Sequence, residues 1–234
     1  MITRQQQRVV DAALQELDRL TGNDLHTVAA AAMDTEGRIH TGVNVFHFTG
    51  GPCAKLTALG QAAGAPLVTM VAVADVGRGA IPPCGRCRQV LLDQHPDCDV
   101  ILPIDGTLAA VPVRKLLPYS YTVAADALGR IIRFHPRYYE AVLDGTKTAT
   151  TRFDEPCAAG PAWLLFEFDE GYRRLRASVD SVTPKRFDQI TDEDAQREGC
   201  ETAAELQDLL RTHYPEIRDD AVVEVVRFRL EGEG

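Results

Sequence analysis

The chain has 234 residues, room for one large or two modest domains, and is 45% hydrophobic and 25% charged, the proportions of a globular protein. No apolar run nears the roughly 20 residues of a membrane-crossing helix, and the opening MITRQQQRVVDAALQEL lacks a signal peptide's layout; a cytoplasmic setting with reduced cysteines is expected. The net charge of −9 is uneven. Residues 1–125 carry 10 Lys/Arg against 11 Asp/Glu, while residues 126–234 carry 15 against 23, which disfavours a nucleic-acid backbone as partner of the second half.

Apolar residues at helical spacing predict a helix over 3–20, stopped by TGN at 21–23. HTVAAAAM (26–33) and IHTGVNVFHF (39–48) read as a hairpin around DTEGR. CAKLTALGQAAG reads as a helix between Pro52 and Gly64, and LVTMVAVAD (67–75) as a buried strand. CGRCRQVLLDQ follows Pro82 and Pro83 as another helix, and DVILPI (99–104) as another buried strand. This order predicts a layered α/β domain over residues 1–125. PYSYTVAADALGR (118–130) reads as a linker. Beyond it come IIRFH, a short helix in PRYYEAVLDG, and TKTATTRF. Alternating strands at WLLFEFD and YRRLRASVDSV, helices near 191–198 and 201–213, and a final strand AVVEVVRFRL complete a small β-rich α+β domain over residues 126–234.

Cys53 stands at one helix start, and Cys84 and Cys87 form a C-x-x-C at another. That spacing lets two thiolates grip one ion, and helix N-termini favour thiolates. Three protein ligands leave a fourth zinc position open, the catalytic rather than the structural arrangement. With GGPCAKLTALG and PPCGRCRQVLL in view, residues 1–125 resemble the zinc-dependent cytidine deaminase family, most closely its blasticidin S deaminase branch. DGRIHTGVNVFHFTGGPCAKLTALG, RGAIPPCGRCRQVLLDQHP and RKLLPYSY carry the likeness. It implies a three-layer α/β deaminase fold, Zn2+ on Cys53, Cys84 and Cys87, a nucleoside contact at Asn44, and assembly into a dimer or tetramer through this domain. The departure is Lys55, which occupies the place of the family's proton-carrying Glu. An ammonium donates hydrogen bonds and accepts none, so deaminase activity is expected to be absent or very weak.

GTKTATTR (145–152) places Lys147 within reach of Thr150 if the segment is a loop. A strand would instead sort Lys147, Ala149 and Thr151 onto one face and Thr148, Thr150 and Arg152 onto the other. A desolvated lysine beside a threonine hydroxyl is a base–nucleophile pair; a plain Thr-rich strand is the simpler reading of these eight residues alone. FHPRYYEAVLDGTKTATTRFD is similar to the opening of ASCH domains, PUA-like β-barrels. Within them it resembles the amidohydrolases that remove the acyl group from N4-acetylcytidine, with the likeness running from about 131 to 229. That resemblance implies Thr150 as nucleophile, Lys147 as its base, Glu198 as proton donor or substrate anchor, and Arg152 orienting substrate or an oxyanion. The spacing leaves the division among Lys147, Thr150 and Glu198 open.

The expected whole is a two-domain hydrolase acting at the exocyclic N4 of cytosine nucleosides. Two alternatives stand beside it: a deaminase that works despite Lys55, and an RNA-binding ASCH module on an inactive deaminase scaffold. Cys98, Cys157 and Cys200 have no partner spacing and read as packing residues. Trp163 reads as a core aromatic, and His47 as a structural histidine.

Overall fold

The computed structural model describes residues 1–75, 77–121 and 130–231. Most of the expected linker lies outside the described residues. The chain divides into two compact units: Met1–Ile131 with Phe168–Arg173, and Ile132–Glu167 with Arg174–Gly234.

In the first unit, helix α1 (Arg4–Asp18) opens on a reciprocal cap. The Thr3 hydroxyl accepts from the Gln6 amide, and the Gln6 side chain reaches back to the Thr3 amide. Strand β1 (Val28–Asp34) pairs antiparallel with β2 (Ile39–Val43) and with β3 (Leu67–Ala74). Helix α2 (Ala54–Ala62) separates β2 from β3. After the two-residue β4 (Gly79–Ala80) and helix α3 (Gly85–Gln94), β5 (Asp99–Ile104) returns parallel to β3, and β6 (Thr107–Pro112) pairs antiparallel with β5. The sheet order is β2-β1-β3-β5-β6, with β4 pairing β3.

The period-two alternation of a strand sorts this sheet into two cores. Ala29, Ala31, Met33, Val71 and Val73 pack under Val9, Val10 and Ala13 of α1. Ala30, Ala32, Met70, Ala72 and Val100 pack under Ala54, Ala58 and Ala62 of α2 and Leu91 of α3. Helices thus cover both faces, the three-layer α/β arrangement expected. The alanines matter because α2 lies close: a Cβ on Gly42 would sit 2.4 Å from the Ala58 nitrogen. The second hairpin strand is shorter than the 39–48 expected. It ends at Val43, and the chain folds back so that the Val45 amide donates to the Pro52 carbonyl at 3.1 Å. A Cβ on Gly51 would lie 1.9 Å from the Val45 oxygen, so only glycine allows that return. Strand β6 carries no alternation clear enough to be read beforehand.

The second unit holds most of β7 (Arg130–Phe134), β9 (Gly160–Phe168) and β10 (Gly171–Arg186), together with α4 (Tyr139–Leu143), β8 (Ala149–Arg152), α5 (Asp192–Arg197), α6 (Ala203–His213) and β11 (Val222–Leu230). Its sheet runs in the order β7-β9-β10-β11-β8. Phe187, Ile190, Leu206, Leu210 and Val223 close a core between the helices and the sheet. Cys98 and Cys200 are buried as packing residues, and Cys157 is half-buried. Trp163 is only half-buried, with the Arg174 guanidinium stacked 4.1 Å from its ring centroid. It is therefore a capped surface aromatic rather than a core one.

Candidate functional site

In the first unit the returning loop delivers Cys53 to the N-cap of α2, while Cys84 caps α3 and Cys87 lies in its first turn. Neither capping cysteine spends its side chain on a cap hydrogen bond. The three Sγ atoms lie within 4.8 Å of one another, and Cys53 and Cys84 are 3.6 Å apart. Thiolates bound tetrahedrally at about 2.3 Å from one ion are spaced by roughly 3.8 Å, so the cluster fits a single zinc-sized ion. Burial opposes ionisation of Cys84, but hydrogen bonds from the Cys87 backbone and from the Cys87 and Cys53 thiols more than offset it and hold this thiol below its ordinary value. Burial pushes Cys87 well above it.

Lys55, in the first turn of α2, is buried beside these thiols. Its Nζ donates to the Ile81 carbonyl at 3.4 Å. Burial draws its pKa down to about 8, against the pull of Cys87, Cys84 and Cys53. The Asn44 side chain is largely committed to the backbone. Its Oδ1 accepts from the Thr27 and Val28 amides at 2.8 Å each, and its Nδ2 donates to the Leu25 carbonyl at 3.4 Å. It pins the entry to β1 and keeps one amide hydrogen uncommitted. His47 is exposed and bonded to Thr49.

In the second unit the GTK turn follows α4. Asp144 accepts from the Thr146 amide and hydroxyl at 2.9 and 2.7 Å, Gly145 takes φ +81°, and the Lys147 amide donates to the Ala141 carbonyl at 2.7 Å. Lys147 therefore precedes β8, and the strand alternation does not govern it. Glu198 ends α5, followed by Gly199 at φ +84°. The Thr148 amide donates to the Arg197 carbonyl at 2.8 Å and so ties that helix end to the start of β8.

These two devices bring Lys147 and Glu198 together, 51 residues apart in sequence. The ammonium donates to the Glu198 Oε2 at 3.0 Å and to its carbonyl at 3.1 Å, with both side chains buried. The Thr151 hydroxyl donates to Oε1 of the same carboxylate. Burial lowers the Lys147 pKa, and Glu198 resists that shift. Arg152 donates to Glu155 at 3.0 Å and to the Arg133 carbonyl at 2.6 Å; its Nε is buried with no partner. All four side chains, with Thr150, line a cavity of about 370 Å³, within the range of small-molecule sites. The Thr150 hydroxyl has no hydrogen-bond partner among the described residues, whereas its neighbour Thr151 holds the carboxylate.

The spacing pointed to a segment that lines the cavity but gave Thr151 no role. Nor did it single out Tyr138, whose ring centroid lies 4.8 Å from the Lys147 Nζ, or His213 and Tyr214 on the cavity wall. The aromatic pair YY at 138–139 and the HY at 213–214 were the available signals, but neither has a spacing that marks chemistry.

No family model matches the chain. A blasticidin-S deaminase from Bacillus cereus is 30% identical over 133 residues, spanning 52% of this chain and 95% of that protein, in the N-terminal half. A cytidine deaminase from Mycobacterium tuberculosis is 41% identical over 99 residues, spanning 40% of this chain and 71% of that one. Among solved structures, an ASCH domain from Lactobacillus crispatus JV V101 aligns over 39% of this chain and 68% of its own, at 18% identity and a TM-score of 0.35, a likeness too slight to carry function.

Proposed function

The chain belongs, through its N-terminal half, to the cytidine deaminase family, and from that premise we propose that it is a hydrolase of the exocyclic N4 of cytosine compounds whose working centre is the cavity of the second unit. The reaction is removal of an acyl group from an N4-acylcytidine. The observation that carries this reading is the buried Lys147–Glu198 pair, with Thr151 on its carboxylate and the unbonded Thr150 hydroxyl in the same cavity.

Lys147 has the properties of a base held ready. Desolvation favours its neutral amine, and Glu198 is the group that keeps it oriented. Thr150 attacks the acyl carbonyl carbon as its proton passes to Lys147. The C–N bond then breaks, N4 leaves with that proton as the free amine, and water releases the acyl group from Thr150 as a carboxylic acid. Arg152 is fixed by Glu155 and the Arg133 carbonyl, which suits it to orient substrate rather than to move protons. This unit we read as a PUA-like ASCH module.

In the first unit Cys53, Cys84 and Cys87 would hold zinc, and the bound ion supplies water activation. Lys55 stands where the family's Glu shuttles protons. An ammonium cannot accept a proton, and the carboxylate's part in general acid–base assistance, typically about 10² to 10⁴, is lost. We therefore read the first unit as silent in deamination, a cytosine-family scaffold and a site of self-assembly, with Asn44 shaping its nucleoside pocket from the β1 entry.

The deciding experiment incubates the full chain with N4-acetylcytidine and separates the products. Cytidine and acetate are expected, lost in Thr150→Ala, with no uridine. Uridine from the unaltered chain would defeat the silent reading of the first unit. No turnover of any N4-acylated cytosine compound would defeat the amidohydrolase reading.

A further inference from the structure

Arg137 differs in its partners from several other arginines of the second unit. Arg152, Arg186, Arg197, Arg211 and Arg218 each face a carboxylate. Arg137 faces none among the described residues, although residues 126–234 carry 23 Asp/Glu against 15 Lys/Arg. Its guanidinium donates to the Tyr138 hydroxyl and, at 3.3 Å, to the His213 Nε2, and sits 4.6 Å from the centroid of the Tyr138 ring. Its amide donates to the His135 Nδ1 at 3.2 Å. His135, Tyr138 and His213 all line the cavity, and all the groups that hold Arg137 are uncharged or cationic. Burial first, then Arg137, His135 and Arg152, hold His213 below its ordinary pKa, with Glu155 alone opposing, as expected where cations crowd one rim.

Arg137 does not itself line the cavity, but its side-chain partners Tyr138 and His213 do, and a guanidinium bonded to no carboxylate keeps charge-assisted donors for a ligand. The surrounding acidic surface repels a long polyanion but leaves a local positive focus for a small one. The same tyrosine ring contacts Lys147, which lines the cavity, and Arg137, so the two cations are one side chain apart. We propose that Arg137, flanked by His135 and His213, is a phosphate subsite, and that this cavity takes an N4-acylated cytidine 5′-monophosphate in preference to the free nucleoside, which it also accepts. This rests on the cytosine reading of the cavity for the base, and on Arg137 alone for the phosphate.

The test is calorimetric binding to the full chain of cytidine, cytidine 5′-monophosphate, ribose 5-phosphate and hexacytidylate, each with the unaltered protein and with Arg137→Gln. The monophosphate should bind about tenfold tighter than cytidine, and the advantage should shrink with added salt and vanish in Arg137→Gln. Arg137 is exposed, so the substitution leaves the core intact; His213→Gln serves as a second variant and should weaken the monophosphate alone. Ribose 5-phosphate binding as tightly as the monophosphate, with cytidine not binding, would keep the subsite and sink the cytosine reading. Equal affinity for cytidine and its monophosphate, an advantage that survives Arg137→Gln, tighter binding of hexacytidylate, or binding of none of the four would overturn the proposal.

Discussion

Each unit buries one lysine, and the two lysines differ in what faces them. Lys55 has thiols around it and a single carbonyl contact at 3.4 Å; Lys147 has a carboxylate at 3.0 Å and a carbonyl at 3.1 Å from the same residue. Burial pulls both pKa values down. Under the proposed function, Lys55 replaces a carboxylate that the deaminase reaction needs, whereas Lys147 is held by a carboxylate in a cavity that Thr150 also lines. The two lysines share residue type and burial and differ in partner.

The sharpest way to break this comparison is Lys147→Ala. Loss of the base should cut N4-deacylation by roughly 10³. The uncompensated buried Glu198 should cost about 3 kcal/mol, read from the urea midpoint. In the unaltered chain the neutral amine becomes the majority form only above the folded-state pKa, which burial sets below the ordinary 10.5. The rate should therefore rise with pH and level off below pH 10.5; a rate that falls as pH rises would exclude Lys147 as the base.

Lys55→Glu tests the other lysine. It should produce zinc-dependent conversion of cytidine to uridine, at least about 10² above the unaltered chain. Failure to gain any uridine in a zinc-loaded, folded variant would show that the first unit lacks more than its proton carrier. Gly42→Ala sharpens the contrast through structure alone. Its Cβ would meet the Ala58 nitrogen at 2.4 Å, so α2 must move. A loss of about 2 kcal/mol by thermal unfolding is expected, with weaker zinc retention and unchanged N4-deacylation. Thr151→Val removes one donor from Glu198 without adding bulk. It should slow deacylation about tenfold, far less than Thr150→Ala, because it loosens the carboxylate and not the nucleophile. Equal losses in the two variants would reassign the attacking hydroxyl.

Legibility followed the range of each interaction. Helix starts at Pro52 and Pro83, the continuous apolar runs at 67–74 and 99–104, and the C-x-x-C at 84–87 are local, so spacing alone marked them. The hairpin was placed correctly but read too long. Alternation continues through NVFHF, while the backbone turns back at Val43 to meet Pro52, a contact between residues that no period relates. Lys147 was read under two geometries, and the choice fell to the Ala141 carbonyl, which holds it in the turn before β8.

The sequence by itself determined the main helices and buried strands of both halves, the three cysteines, the lysine at position 55 and the Lys147–Thr150 segment, because each is written in neighbouring residues and their periods. Only the tertiary structure decided that Thr151, not Thr150, bonds Glu198, that Asn44 spends its amide on backbone, and that Arg137 meets no carboxylate among the described residues. Those outcomes depend on where residues separated by 17 to 76 positions come to rest, and hydrogen-bond direction at such a range is set by packing, which no local pattern encodes.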